Sequence, residues 1–190
     1  MIKPQLDDVL KKFDLVFFVK FLSVLIPLHV FNLAFISITD PYNIYSAFID
    51  HHLNYITWIS SSILHTSNLI DRVLGINSFV NGRIIEVLEG AQIYLEFPCL
   101  GLGIAFFWVA FITAHKISYK AKLKWCLTGI FTIWFINIWR IAILLFVMQN
   151  HWKQSSYMDH HDLFNLAAYT LIAVLAYSFK RQQKNSVEAV

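Results

Sequence analysis

Residues 125–148 read WCLTGIFTIWFINIWRIAILLFVM, an apolar run in which Arg140 is the one charged residue. A helix of about 20 apolar residues crosses the hydrocarbon core of a bilayer, so this stretch predicts a transmembrane helix. Three other runs predict further transmembrane helices, near Leu15 to Ile36, Leu100 to Ile117 and Leu163 to Phe179. The sequence therefore predicts an all-α integral membrane protein, a bundle of about four to six transmembrane helices.

The composition agrees with a membrane environment. Of the 190 residues, 57% are hydrophobic and only 14% are charged, whereas about 25% are charged in soluble domains. The formal net charge of +3 comes from residues that cluster between the apolar runs. We interpret it as a signal of membrane topology, with membrane lipids as neighbours, and expect no nucleic-acid partner.

Positive charge orients the predicted helices. Basic residues fill the loop after the second helix and the tail after the fourth: Lys116, Lys120, Lys122, Lys124, Lys180, Arg181 and Lys184. By the positive-inside rule both segments face the cytoplasm. Cys99, Met148 and His161 then share the opposite face. We expect a protein of the cytoplasmic (inner) membrane whose active site lies on the extracytoplasmic face.

The N-terminal part of the chain is expected to anchor it. Charged residues within Met1 to Asp14 precede an apolar run too long for a signal peptide, which predicts an uncleaved anchor. The segment Ile44 to Leu74 mixes apolar and polar residues, and is either an interfacial amphipathic helix or a polar crossing. We favour the interfacial helix, because one extra crossing would leave Cys99 in the cytosol.

Two short β-type runs precede Cys99. They are Arg83 to Val87 and Ile93 to Phe97, joined around Leu88 to Gly90, and they predict a hairpin-like segment on the extracytoplasmic side. The predicted organisation is a single domain. Residues 1–80 form the anchor and the interfacial helix, residues 81–179 the catalytic core and residues 180–190 a cytoplasmic tail.

Arg140 is the most informative residue of the sequence. It lies eight positions before Met148, about 12 Å below the outer end of its helix. An arginine at such a depth costs about 2.5 to 3.5 kcal/mol on insertion scales, and intramembrane charges usually mark function. Asn137 shares its helix face and is placed to hold the guanidinium or a substrate carbonyl. The alternative is an arginine that snorkels or pairs with Glu96 or Asp162 for packing alone.

Cys99 follows Pro98 at the predicted outer start of a helix. The positive end of the helix dipole favours a thiolate there, and Gly101 and Gly103 leave room for a substrate backbone. The alternative is an inert buried cysteine, the role we assign to Cys126. The predicted topology separates the two cysteines by about 30 Å, and a disulfide needs Cα atoms less than about 7 Å apart, so we expect no disulfide.

His160 and His161 stand just before the last predicted helix. One of them can act as the base for a thiol nucleophile, with Asp162 or Asp159 as its orienting partner. The sequence does not decide between them. Because Asp162 directly follows His161 in the sequence, we favour His161 as the base.

The order of these elements resembles the exosortase/archaeosortase family. The resemblance covers roughly residues 81–179 and rests on Pro-Cys-Leu-Gly at 98–101, Asn-Ile-Trp-Arg-Ile at 137–141 and His-Asp at 161–162. Leu100 stands where the family usually has serine. The resemblance implies a membrane-embedded cysteine peptidase or transpeptidase without a cofactor.

Such an enzyme cleaves a C-terminal sorting signal, made of a short motif, a membrane helix and a basic cluster, from exported proteins. It then transfers them to a surface acceptor such as a lipid or glycan. By this resemblance Cys99 attacks the scissile carbonyl, His161 moves the protons and Arg140 stabilises the oxyanion or positions the carbonyl. Removing such a donor typically lowers the rate about 10²- to 10³-fold.

Metal or cofactor binding and a non-catalytic role are the other classes of function. Haem or metal binding would use histidines that the topology places at different depths: His29, His115, His151, His160 and His161. The zinc-protease pattern His-Glu-x-x-His does not occur in the sequence. The remaining alternative is a non-catalytic accessory membrane protein of a surface-protein or polysaccharide export system.

Overall fold

The computed structural model describes residues 15–88, 90–150 and 160–188, apart from the side chains of residues 160–165, 167–168 and 184–188. The structure is 76% helical, with one small sheet. In chain order its elements are α1 (Leu15–Thr39), α2 (Ala47–Leu53), α3 (Tyr55–Val73), β1 (Ser78–Asn81), β2 (Ile84–Val87), β3 (Gln92–Tyr94), a 3₁₀ turn (Phe97–Leu100), α4 (Leu102–Ala114), α5 (Tyr119–Gln149) and α6 (His160–Glu188).

Among the described residues, α1 and α5 are the two helices long and apolar enough to cross a membrane. They have 25 and 31 residues, each with a mean hydropathy of 2.1. Helix α4 has 13 residues, which at 1.5 Å per residue is about 20 Å and shorter than a hydrocarbon core of about 30 Å. The observed helix is therefore shorter at both ends than the predicted helix Leu100 to Ile117. Four to six transmembrane helices are not confirmed.

The chain divides into two compact units. One comprises Met1–Leu53 and Leu102–Ile130, and the other comprises Asn54–Gly101 and Phe131–Val190. Helix α5 contributes its first part to one unit and its second part to the other.

Aromatic contacts join α1 and α4 in the first unit. The ring of Phe17 lies 6.0 Å from that of Phe111 and 4.8 Å from that of His115, and the rings of Phe21 and Phe107 are 5.3 Å apart. The start of α1 thus lies beside the end of α4, so the two helices run antiparallel.

Two side chains of the first unit fix the start of α5 against α4. Trp108 is 1% exposed, and its Nε1 donates to the carbonyl oxygen of Trp125 at 2.8 Å. A Cβ atom at Gly129 would overlap the Trp108 ring, so this position needs a glycine. Lys122 Nζ donates to the carbonyl oxygen of Thr113 at 2.7 Å and so caps the last turn of α4.

The sheet of the second unit is an antiparallel meander in the order β1-β2-β3. Ile85 pairs with Val80 on one side and with Ile93 on the other. Gly82, with φ +60°, begins the two-residue loop between β1 and β2. The predicted pairing of the two β-type runs before Cys99 is confirmed by β2 and β3. Strand β1 was not predicted, so the fold is mostly helical rather than purely so.

Helix α3 covers the inner face of this sheet. Its buried residues recur at helical spacing: Ile56, Ser60, Ile63, Leu64, Ser67, Asn68 and Asp71. On the sheet Ile85, Ile93 and Leu95 are buried, whereas Phe79 and Tyr94 point outward. The side-chain alternation of a half-buried strand explains this pattern. The uncertain segment Ile44 to Leu74 therefore forms two helices, and α3 packs as a core element of its unit.

Helix α3 also bonds to the second part of α5. Ser67 Oγ donates to the carbonyl oxygen of Ile138 at 3.0 Å, and Trp134 Nε1 donates to Ser62 Oγ at 3.0 Å. These hydrogen bonds attach α5, which contains Asn137 and Arg140, to α3, which packs on the sheet.

Asp71 and Ser78 connect the end of α3 to β1. Ser78 Oγ lies 2.8 Å from Asn68 Oδ1 and 3.3 Å from Asp71 Oδ2, and it donates to these oxygens. Asp71 is fully buried, and its Oδ1 has no hydrogen-bond partner. Burial raises the pKa of Asp71 from 3.8 to about 6, although the hydrogen bond from Ser78 lowers it.

Candidate active site

Cys99 lies in the 3₁₀ turn between the sheet and α4. Pro98 stands at the start of this turn, and the backbone N–H of Cys99 donates to the carbonyl oxygen of Glu96 at 3.0 Å. Leu100 is 3% exposed and anchors the turn, whereas Cys99 itself is half-buried. Local backbone structure therefore fixes the position of Cys99, and its side chain is not fully buried in the core.

Gly101 ends the turn in a conformation that suits glycine. Its φ is +71°, in the left-handed region that residues with a Cβ atom rarely adopt. A Cβ atom there would lie 2.7 Å from Asn137 Nδ2 and 2.8 Å from Ile133 Cγ2. Gly101 thus allows both the sharp exit from the turn and its close approach to α5.

Asn137 fastens the turn to α5. Its Nδ2 donates to the carbonyl oxygen of Leu100 at 3.4 Å and to that of Ile133 at 2.9 Å. The side chain is 7% exposed. Both contacts use the amide nitrogen that sequence reasoning offered to a substrate carbonyl. Asn137 is therefore a positioning residue for the Cys99 turn.

Arg140 lies one helical turn beyond Asn137, on the same face of α5. Its Nη2 is 3.6 Å from Cys99 Sγ, and its side chain is half-buried. The structure brings together Cys99, Arg140 and Asn137, three of the residues predicted to form the site.

The expected place of Cys99 at the start of a helix is wrong. Helix α4 begins at Leu102, three residues beyond Cys99, and Gly101 separates it from the 3₁₀ turn. The thiol is therefore not in the first turn of α4. The cation that contacts the thiol is the guanidinium of Arg140.

The predicted base stands at the start of α6, whose first residues are His160, His161 and Asp162. Their side chains lie outside the described ones, and Asp159 and His151 lie outside the described residues altogether. The structure therefore does not distinguish His160 from His161, and the choice of His161 as the base stays a prediction.

The other candidates from the sequence play different parts. In the described ranges no group of three or more His, Cys, Asp or Glu side chains forms a metal site. His115 packs between the rings of Phe17 and Phe111. Cys99 and Cys126 are both free thiols. Sequence reasoning missed Arg83, whose guanidinium lies against Phe97, the first residue of the Cys99 turn.

The described residues define a mostly helical protein with two helices able to cross a membrane, and with a cysteine and an arginine in contact. No protein-family model, curated protein or solved structure matches this chain.

Proposed function

We propose that this protein is a membrane-embedded cysteine peptidase or transpeptidase with Cys99 as its nucleophile. The observation that carries the proposal is the 3.6 Å contact between Arg140 Nη2 and Cys99 Sγ. The thiolate is the reactive form of cysteine, and reactive cysteines lie in partly exposed, electropositive surroundings. A purely structural cysteine needs no such neighbour.

The same guanidinium suits the whole reaction. When Sγ bonds to the carbonyl carbon of a peptide, the negative charge moves from sulfur to the carbonyl oxygen. The five N–H donors of Arg140 allow one cation to serve both atoms in turn. Collapse of this intermediate breaks the C–N bond and leaves a thioester, and the departing amine takes a proton, which we assign to His161 as general acid.

A second nucleophile completes the cycle. Water, or the amine or hydroxyl of a surface lipid or glycan, attacks the thioester carbon. Its proton passes to the base, and the bond to sulfur breaks to regenerate the thiolate. With water the enzyme is a peptidase; with an acceptor it is a transpeptidase.

The resemblance to the exosortase/archaeosortase family supports the class of substrate. We propose that the substrates are exported proteins that end in a short motif, a membrane helix and a basic cluster. Helices α1 and α5, long and apolar enough to cross a membrane, support a reaction at a membrane. We place the site on the extracytoplasmic face of the inner membrane, because Lys116 and the lysines at the start of α5 favour a cytoplasmic position for that end of the helix.

The test is the intact mass of a co-expressed exported protein of this kind. With wild type, and with Cys126→Ser as the matched thiol control, we expect loss of its C-terminal helix. With Cys99→Ala the substrate should stay whole although the variant still inserts. Cleavage by Cys99→Ala would overturn the proposal. Failure of all forms on a genomically matched substrate would favour the non-catalytic accessory role.

A further inference from the structure

A cavity lies between α1 and α4 in the first unit. Its volume is about 440 Å³, which is a usual size for a small-molecule site. Of the six residues that line it, five have no polar side-chain atom and one is a histidine: Leu25, Ile26, Val30, Gly103, Phe107 and His29. The cavity is therefore apolar apart from a single hydrogen-bonding side chain.

Gly103 leaves the α4 side of the cavity open. A Cβ atom there would meet nothing within 4 Å, so a methyl group fits, whereas a larger side chain would extend into the cavity. On the α1 side Ile26 and Val30 are 54% and 58% exposed. Because α1 is long and apolar enough to cross a membrane, we expect this opening to face lipid chains. A ligand with a long apolar tail can enter there.

His29 lies close to the middle of α1. The helix runs from Leu15 to Thr39, so at 1.5 Å per residue the imidazole is about 21 Å from one end and about 15 Å from the other. Its ring centroid is 6.4 Å from that of Phe106, edge to face. Among the described residues none forms a hydrogen bond with the imidazole. An ionisable side chain at this depth usually marks a functional site.

The depth of His29 restricts the chemistry of the ligand. The ester and phosphate oxygens of a phospholipid lie at the edges of the hydrocarbon core, about 15 Å from its centre, so they do not reach the imidazole. A haem would bring two carboxylates, and none of the six lining residues is basic. A flat ring with carbonyl oxygens fits better, because it can pack on Phe107 and accept a hydrogen bond from the imidazole N–H.

We infer that the cavity between α1 and α4 binds a membrane quinone, and that His29 donates a hydrogen bond to one of its carbonyl oxygens. The quinone is a bound ligand, and no covalent bond forms or breaks. Its tail leaves through the opening beside Ile26 and Val30. This binding site goes beyond the proposed peptidase function and requires neither Cys99 nor Arg140.

Native mass spectrometry of the purified full-length protein tests this binding. The protein is kept in neutral detergent with rising mole fractions of a decyl-substituted benzoquinone, whose ring is fully substituted so that thiols do not add to it. Dodecylbenzene, which has a ring and a tail but no carbonyl oxygen, is the control ligand. The measured quantity is the fraction of protein that carries one added ligand mass. The variants are His29→Leu, His29→Gln and Gly103→Leu, and Val19→Leu, on an exposed part of α1 away from the cavity, is the matched control.

We expect wild type and Val19→Leu to bind one quinone and to bind dodecylbenzene more weakly. His29→Leu should raise the mole fraction at half-saturation about fivefold, because one hydrogen bond is lost. His29→Gln keeps an N–H donor and should fall between the two. Gly103→Leu should abolish binding by filling the cavity. Equal quinone binding by wild type and His29→Leu would overturn the inference, and so would equal binding of quinone and dodecylbenzene by wild type.

The same spectra distinguish the other possible occupants. A copurified phospholipid that Gly103→Leu loses and the quinone does not displace would assign the cavity to a lipid chain and overturn the quinone assignment. A dimer that is present in wild type and absent in Gly103→Leu would assign it to a second copy of the chain. If Gly103→Leu does not fold, the His29 variants and the dodecylbenzene comparison decide. Because no peptide is cleaved, these outcomes are independent of whether the peptidase function fails.

Discussion

Asn137 Nδ2 donates to the carbonyl oxygen of Leu100 at 3.4 Å, so the helix that carries Arg140 also holds the turn that carries Cys99. Arg140 is three positions after Asn137, and Leu100 directly follows Cys99. One amide thus sets the register between Cys99 and Arg140.

Asn137→Ala should therefore loosen the Cys99 turn. It leaves the carbonyl oxygen of the buried Leu100 without this donor, a loss of about 1 to 3 kcal/mol. We expect a lower denaturation midpoint in detergent and at least a tenfold loss of substrate processing. Asn150→Ala is the matched control, because Asn150 Nδ2 donates to the carbonyl oxygen of Phe146, four residues earlier, at an exposed position. Equal behaviour of the two variants would contradict the positioning role.

Gly101→Ala should harm the protein in two ways. The left-handed φ costs about 1 kcal/mol for a residue with a Cβ atom, and that atom would lie under 3.0 Å from Asn137 and Ile133. We expect reduced thermal stability and loss of processing. Gly103→Ala should be harmless, because a Cβ atom there meets nothing within 4 Å. Equal stability of the two alanine variants would contradict this account of the turn.

Replacing Arg140 tests whether the site needs a guanidinium or merely a charge. Arg140→Ala should lower processing about 10²- to 10³-fold, as expected for loss of an oxyanion donor. Arg140→Lys should be nearly as damaging, because a point charge does not reproduce the planar fork. The check is the initial rate of processing at equal membrane abundance. Full activity of Arg140→Lys would indicate general charge balance instead.

Asp71 predicts a pH dependence of stability. Its pKa is about 6 in the folded protein against 3.8 as the ordinary value, so between about pH 4 and pH 6 the folded state binds more protons than the unfolded chain. Stability should fall as pH rises through this window, by roughly 2 to 3 kcal/mol in all, and stay lower above it.

Asp71→Asn should remove this slope and exceed wild type in stability near pH 7.5. Chemical unfolding in detergent at several pH values measures the difference, with Glu86→Gln, on the outward face of the sheet, as control. An Asp71→Asn protein that is less stable than wild type at pH 7.5 would show that the charged form is favoured.

The residues alone singled out Arg140, inside an apolar helix, and Cys99, beside glycines. The family resemblance placed the two in one site. The β2–β3 pairing was also visible as two β-type runs. Strand β1 was missed because Asn77, Asn81 and Gly82 make its run look like a turn. Strand pairing with β2, together with the Ser78 contacts to α3, stabilises it instead.

Other features depend on contacts between segments distant in the sequence. Gly101 separates the Cys99 turn from α4 through its backbone conformation. The sequence does not show this break, because the apolar run continues through Leu102. The place of Arg83 over Phe97 depends on how β2 and β3 align, and no spacing along the chain predicts it. Sequence patterns therefore selected the candidate residues, and tertiary contacts decide how they are arranged.

The most direct test of the central claim is to look for the covalent intermediate on Cys99. A reaction between purified enzyme and a matched substrate is quenched in acid, and the peptide containing Cys99 is analysed by mass spectrometry. The account predicts a thioester adduct equal to the N-terminal part of the substrate, released by hydroxylamine and absent in Cys99→Ala. Processing without any adduct at Cys99, or an adduct at another residue, would contradict it.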